Sequence, residues 1–270
     1  LAMKSSKSEF LSVRGLRYHL RCWGNQAQPQ LFVLHGWMDL SASFQFMVDA
    51  LARDWCVIAP DFRGFGLTEW PQDGYWFPDY FADLDTILDH YSPQAPVHLI
   101  GHSMGGNIAS LYAGIRPERV RTLVNLEGFG LPQSDPEQAP QRFAHWLQEL
   151  RAGTAFRPYA SVAEYAARLR TDNPRLREDR ALWLAEQATR RDPDGAVRLR
   201  GDPRHKRKHA VPYRLDEAMA CWRRVRAPVL WVGAADSRIM KNHMNNRPSY
   251  EARKACFAQL EEHIIQDCGH

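Results

Sequence analysis

The chain of 270 residues lacks the features that mark secreted, membrane and nucleic-acid-binding proteins. Its 35 basic residues exceed its 31 acidic residues only slightly, and a net charge of +4 gives no electrostatic reason to expect a nucleic-acid partner. No run of about 18 apolar residues is present, so we expect no membrane span. The polar stretch 1–9 lacks the apolar centre of a signal peptide. These absences predict a cytoplasmic protein.

Cysteine is scarce, with five residues and no C-x-x-C pair. A zinc site built from closely spaced cysteines is therefore not expected. Cys22, Cys56 and Cys256 lie among apolar neighbours, as expected for buried free thiols in a reducing compartment. We expect neither a metal nor a cofactor.

Short apolar runs alternate with helical patterns in the first half of the chain. Residues 31–34 and 56–59 are continuous apolar runs, which are typical of strands buried on both faces. Between 78 and 88, apolar residues recur at helical spacing. The alternation predicts an α/β fold with a mostly parallel central sheet flanked by helices.

The alternation stops in the middle of the chain. A long central segment is polar and helix-prone, is rich in large aromatic residues and has almost no strand-like runs. Strand patterns return near the C-terminus, at 228–232 and 263–265. We therefore predict a first part of the core, an inserted helical cap and a second part of the core, at residues 1–131, 132–226 and 227–270.

A G-x-S-x-G pattern is formed by Gly101, Ser103 and Gly105, between a strand-like run and a helix-like segment. A serine hydroxyl becomes a good nucleophile when a sharp strand-to-helix turn holds it exposed beside a base. Glycines at 101 and 105 lack the Cβ atoms that would otherwise clash with the neighbouring strand and helix. The pattern predicts Ser103 as a nucleophile.

Such a serine needs a base and a carboxylate that orients the base. Asp236 follows the strand pattern at 228–232, and His270 follows the one at 263–265. The chain order Ser, Asp, His is expected when the nucleophile lies on an elbow of an open parallel sheet. Because catalytic groups collect at the C-terminal ends of parallel strands, we expect Ser103, Asp236 and His270 to meet there.

Two backbone N–H groups are predicted to form an oxyanion hole. Met104 follows the nucleophile at a helix N-terminus, where unpaired donors and the helix dipole favour negative charge. Trp37 follows Gly36, which lets the backbone approach a substrate closely. His35, in the same turn, could be mistaken for the base. Its early place in the chain favours a structural hydrogen bond instead.

These motifs together resemble the α/β-hydrolase superfamily. The resemblance rests on His35-Gly36-Trp37, Asp61-Phe62-Arg63-Gly64-Phe65-Gly66, Gly101-His102-Ser103-Met104-Gly105-Gly106, Asp236 and Gly269-His270. The segments Trp37-Met38-Asp39 and Asn125-Leu126-Glu127-Gly128 are most similar to serine hydrolase-like esterases. The resemblance implies a serine hydrolase that cleaves a carboxylic ester, thioester or lactone of a small-molecule acyl substrate.

The resemblance leaves several points open. The same motifs fit a C–C bond hydrolase, another acyl transferase, or a ligand-binding or sensor protein with little turnover. Glu127 also follows a strand, where some relatives carry the acid, and is the alternative to Asp236. A last helix normally follows the histidine in this fold, and we expect it to be missing after His270. The oligomeric state is not predicted. The predicted pocket residues are His35, Phe129, Trp146 and Trp183.

Overall fold

The computed structural model describes residues 2–270, which form ten strands and nine α-helices. The strands are β1 Ser6–Val13, β2 Leu16–Trp23, β3 Gln30–Leu34, β4 Cys56–Pro60, β5 Val97–His102, β6 Val120–Leu126, β7 Thr189–Arg191, β8 Val197–Leu199, β9 Val229–Ala234 and β10 Leu260–Ile265. The helices are α1 Gln45–Ala50, α2 Pro78–Tyr91, α3 Met104–Ile115, α4 Ala139–Ala152, α5 Val162–Asp172, α6 Glu178–Ala188, α7 Leu215–Trp222, α8 Arg238–Asn245 and α9 Arg247–Lys254.

Eight of these strands form one sheet in the order β1-β2-β4-β3-β5-β6-β9-β10. Strand β2 is antiparallel to both of its neighbours, β1 and β4. The other neighbouring pairs of this sheet, along the order β4-β3-β5-β6-β9-β10, are parallel. The prediction of a mostly parallel sheet flanked by helices is confirmed. The C-terminal ends of β3, β5, β6, β9 and β10 therefore lie along one edge of the sheet.

Strands β3 and β4 show why the centre of the sheet is stable. Their side chains alternate between two apolar clusters, one on each face. Phe32 and Ile58 contribute to one cluster, and Val33 and Val57 to the other. All four are nearly inaccessible to solvent, so both faces of the sheet are buried, as the continuous apolar runs predict.

The turn after β4 is held by buried ionic contacts. Asp61 accepts hydrogen bonds from His19 Nδ1 at 2.6 Å and from the Ser41 N–H at 2.7 Å. Burial raises the pKa of Asp61, but the His19 contact outweighs burial and lowers the pKa to about 2. Arg63 donates two hydrogen bonds to Asp83, at 2.6 and 2.8 Å. The charged residues of this turn are structural.

The central segment 132–226 divides into two parts. Helices α5 and α6 pack together around Ala166, Ala181 and Ala185, and the hairpin β7–β8 follows them. Helix α7, in contrast, packs so closely on α3 that a Cβ at Gly114 would collide with the Cys221 carbonyl. Trp222 of α7 lies in the main core. Within 132–226, α7 therefore packs with the main core, whereas α5 and α6 form a small cluster of their own.

Helix α4 differs from the other helices of the central segment because none of its residues is fully buried. Phe143, Leu147 and Leu150 share one face and are 41–49% exposed. Two hydrogen bonds join the helix to the chain around residue 209. Arg142 Nε–H donates to the Ala210 carbonyl, and the Lys208 N–H donates to Glu149. Across residues 2–270, no helix is long and apolar enough to cross a membrane.

The ion pair between Arg63 and Asp83 predicts a large effect on stability. Asp83→Asn keeps the side-chain volume but leaves the buried Arg63 charge with only its longer contact to Asp79, at 3.5 Å. We expect the free energy of unfolding, measured with urea, to fall by about 3–5 kcal/mol. Asp89→Asn on the same helix is the control, since it removes only an exposed pair worth about 0–1 kcal/mol. Equal losses in the two variants would contradict the structural role of Asp83.

Candidate active site

Ser103 lies in the sharp turn between β5 and α3. Its φ of 53° and ψ of −117° are a strained conformation for a residue with a side chain. A Cβ at Gly101 would collide with the Gly105 carbonyl, and a Cβ at Gly105 would collide with the Leu34 carbonyl. The two glycines therefore allow the close packing of turn, helix and strand that the motif predicts. The serine hydroxyl is held at the C-terminal edge of the sheet.

His270 lies beside this serine, five residues after the end of β10. The Ser103 hydroxyl donates to His270 Nε2 at 2.9 Å, and His270 Nδ1–H donates to Glu127 Oε2 at 2.6 Å. The two contacts fit one neutral tautomer of the imidazole, with its proton on Nδ1. A continuous path of hydrogen bonds thus leads from a hydroxyl through an imidazole to a carboxylate.

The Glu127 carboxylate is almost fully buried, with its side chain 4% exposed. Its Oε1 accepts hydrogen bonds from the Ala234 N–H at 2.8 Å and from the Ser237 hydroxyl at 2.6 Å. Burial raises the pKa of Glu127, but the hydrogen bonds from His270, Ser237 and Ala234 outweigh burial and lower it overall. The side chain is therefore ionised at neutral pH.

Asp236 does not lie beside His270, contrary to the expectation from the sequence. Its carboxylate pairs with Arg175 at 2.5 Å and is 46% exposed. The physical reason is that the turn after β9 directs donors to Glu127 instead, from Ala234 and Ser237. Glu127, the alternative acid, occupies the inner position next to the imidazole.

Sequence reasoning missed Ser237 and Asn125, which hold Glu127 in place. The Asn125 amide bonds both the N–H and the carbonyl of Gly128, at 2.8 and 3.0 Å, and closes the turn in which Glu127 has a φ of 57°. The spacing Asn-x-x-Gly after a strand was the available signal. Chain order was no guide, because Ser, Glu, His satisfies it as well as Ser, Asp, His.

The two predicted oxyanion donors belong to segments that adjoin the serine. Met104 is the first residue of α3, and a Cβ at Gly36 would lie 3.2 Å from the Ser103 Cβ. Among residues 2–270, neither the Met104 nor the Trp37 backbone N–H donates a hydrogen bond to another protein group. The Trp37 indole N–H donates to the His205 carbonyl at 3.2 Å.

The predicted pocket residues have other surroundings. His35 is fully buried, donating from Nδ1 to the Gly36 carbonyl and accepting at Nε2 from the Phe62 N–H. Phe129 is also buried, stacked on Trp231 at 4.1 Å. These two rings are core residues and do not line an open pocket, because neighbouring rings and backbone cover them.

The other two predicted pocket residues are half-buried in the central segment. Trp183 of α6 packs edge-on against Phe46 of α1, at 5.5 Å between ring centroids. Trp146 lies on α4. The Phe46 contact holds the Trp183 indole against α1. Among residues 2–270, no three metal-ligating side chains lie close enough together to hold a metal ion.

Comparisons with known proteins bear on the fold of the chain. A family model described as alpha/beta hydrolase fold matches residues 29–270. A serine hydrolase-like protein of Danio rerio is 30% identical, over 96% of this chain and 83% of its own length. A thioesterase domain from the curacin biosynthetic pathway has a TM-score of 0.85 and 24% identity, covering 98% of this chain and 94% of that one. An esterase from Mycobacterium tuberculosis has a TM-score of 0.71 and 19% identity, covering 100% and 86%.

The chain belongs to the alpha/beta hydrolase fold family. The resemblance seen in the sequence is thereby confirmed, and so is the fold class. The two solved structures share less than 25% of their residues with this chain and support the fold alone. Taken with the relatives, the fold identifies a hydrolase.

The lowered pKa of Glu127 predicts a dependence of stability on pH. In the unfolded chain the carboxyl has its ordinary pKa of 4.5, so ionised Glu127 stabilises the fold above that pH. We expect the difference in unfolding free energy between wild type and Glu127→Gln to be largest above pH 4.5 and to shrink as the pH falls through the folded pKa. Urea unfolding at pH 3.5, 4.5, 5.5 and 6.5 measures this difference.

Asp236→Asn is the control for this measurement. Its exposed ion pair contributes only about 0–1 kcal/mol, so the difference from wild type is expected to stay small throughout. A wild-type advantage over Glu127→Gln that grows on acidification would contradict the prediction.

Proposed function

We propose that the protein is a serine hydrolase that cleaves a carboxylic ester, or a related thioester or lactone, through an acyl-enzyme. Ser103 is the nucleophile, His270 the general base and Glu127 the acid that orients it. The single observation that carries the proposal is the continuous path from the Ser103 hydroxyl through His270 to the Glu127 carboxylate. The proposal therefore takes Glu127, the alternative, as the acid in place of Asp236.

Acylation follows from the direction of these hydrogen bonds. Ser103 Oγ attacks the substrate carbonyl carbon while its proton moves to His270 Nε2. The imidazolium that forms is stabilised at Nδ1 by the buried Glu127 carboxylate. The carbonyl oxygen, now negative, accepts hydrogen bonds from the Met104 and Trp37 N–H groups. Collapse of the intermediate breaks the ester bond, and His270 gives its proton to the leaving alcohol or thiol.

Deacylation repeats the sequence with water. His270 Nε2 takes a proton from a water molecule, whose oxygen attacks the acyl carbon bound to Ser103. The second intermediate uses the same two backbone donors. When it collapses, the carboxylic acid leaves and Ser103 Oγ regains its proton from His270. Every proton in the cycle passes through the imidazole.

The names of the relatives bear on the substrate class. A thioesterase domain and an esterase are among the structural neighbours, and acyl transfer through serine is consistent with both activities. Other relatives are named as an epoxide hydrolase and an oxetanone decarboxylase. Epoxide hydrolase chemistry uses a carboxylate nucleophile, and here the elbow carries a serine, Ser103. The elbow therefore favours ester or thioester cleavage.

Covalent labelling tests the nucleophile. A fluorophosphonate reacts with a serine that is activated by a base, so we expect one adduct on the wild-type protein, mapped by mass spectrometry to Ser103. Ser103→Ala should not be labelled, and its turnover of aryl esters should fall on the order of a million-fold. Absence of an adduct on the folded wild-type protein would refute the proposed function. A panel of aryl esters, thioesters, lactones and diketones then identifies the bond cleaved.

A pair of variants tests the choice of acid. Glu127→Gln keeps the shape of the side chain but removes the charge that stabilises the imidazolium, so kcat should fall roughly 10⁴-fold. Asp236→Asn should retain kcat within about twofold, since its partner is Arg175 and the pair is exposed. Steady-state kinetics with one aryl ester measures both. The reverse order of effects would restore Asp236 as the acid.

A further inference from the structure

His102, the residue before the nucleophile, contacts the proposed base directly. Its Nε2–H donates to the main-chain oxygen of His270, the last residue of the sequence, at 3.0 Å. The two imidazole rings lie 4.8 Å apart between centroids, with their planes tilted by 39°. The mechanism described above uses the side chain of His270, so this contact to its backbone is a separate feature of the site.

The same ring also lies against the loop that carries an oxyanion donor. A Cβ at Gly36 would stand 3.3 Å from His102 Nδ1 and 3.2 Å from the Ser103 Cβ. His102 thus fills the space between the Gly36–Trp37 loop and His270. One side chain on the elbow therefore adjoins the nucleophile, the base and the loop of Trp37.

The backbone around His270 shows why such a contact matters. Strand β10 ends at Ile265, and the chain then turns through Asp267, whose φ is 49°. The Asp236 N–H donates to the Cys268 carbonyl at 3.0 Å. This hydrogen bond holds the loop two residues before His270. Ser103 and Glu127 bind only the His270 ring. The His102 hydrogen bond fixes the backbone at His270 itself.

The charge state of His102 suits this contact. Burial lowers the pKa of His102, and the charge of the neighbouring His270 lowers it further. At neutral pH, His102 is therefore an uncharged donor. It can donate to the His270 main-chain oxygen without placing a second positive charge beside the imidazolium that forms on His270 during acylation.

We propose that His102 is a positioning residue, whose packing against the His270 ring and Nε2–H bond to the His270 main-chain oxygen set the distance between the base and Ser103. This inference rests on the proposed function, because it assumes that His270 is the base. It predicts that loss of the donor lowers kcat and leaves KM nearly unchanged, since His102 acts on the base rather than on the substrate. Misplacing a catalytic group by about 1 Å can cost on the order of 100-fold in rate.

Three variants of the whole chain test the proposal. His102→Phe keeps a ring of similar size but has no donor, and we expect kcat for an aryl acetate to fall about 10- to 100-fold. Fluorophosphonate labelling of Ser103 should slow in parallel. His102→Gln offers an amide N–H in place of Nε2–H and should recover most of the loss. His98→Phe is the matched control on the same strand, where the imidazole bonds Thr122 instead, and it should retain wild-type kcat.

The outcomes separate the two proposals. If wild type is neither labelled nor active, the proposed function fails and the role of His102 falls with it. If wild type is labelled and active but His102→Phe keeps its kcat, only the inference about His102 is overturned. Equal kcat losses in His102→Phe and His102→Gln, a rise in KM alone, or a kcat loss explained by a lower melting temperature would also overturn it.

Discussion

The buried carboxylate of Glu127 is the interaction on which the arrangement of the site depends. Taking a charge out of water costs several kcal/mol unless other groups replace its hydration. Here the replacement comes from Ala234 and Ser237 after β9 and from His270 after β10. The need to satisfy one carboxylate therefore brings the ends of three neighbouring strands together.

The sheet itself sets the spacing between nucleophile and acid. Ser103 and Glu127 each follow one of two adjacent parallel strands, and each has a positive φ, 53° and 57°. Their N–H groups continue the ladder of hydrogen bonds beyond the strands, to the Leu126 carbonyl and the Val232 carbonyl. Because both residues are extensions of one ladder, the rigid centre of the fold fixes their relative position. His270, in contrast, lies on the loop that follows β10 and is not held by this ladder.

The fold and two of the three residues in this path could be predicted from the sequence. Buried parallel strands need continuous apolar runs, and a serine between packed glycines implies a particular turn, so both leave local signals. The contact between Glu127 and His270 leaves no such signal, because it joins residues 143 positions apart. Asp236 met the same criteria of type, order and position. The two carboxylates differ in their hydrogen-bond donors: Glu127 accepts from Ala234, Ser237 and His270, whereas Asp236 accepts from Arg175.

Aromatic composition was a poor guide to the substrate pocket for a related reason. A ring next to a strand end can face a cavity or the core, and the sequence pattern is the same in both cases. Phe129 lies two residues after Glu127 and yet stacks between Trp222 and Trp231 in the main core. Packing with residues about 100 positions away decides which way such a ring faces.

The ion pair between Asp236 and Arg175 has a consequence for how the central segment can change. Arg175 lies in the turn between α5 and α6, so the pair joins this segment to the core next to the site. Because the proposed acid, Glu127, follows β6 and pairs with His270, the Asp236–Arg175 pair carries no part of the hydrogen-bond path. The turn can be redesigned, or exchanged for that of a relative, without disturbing the charges that act on the imidazole.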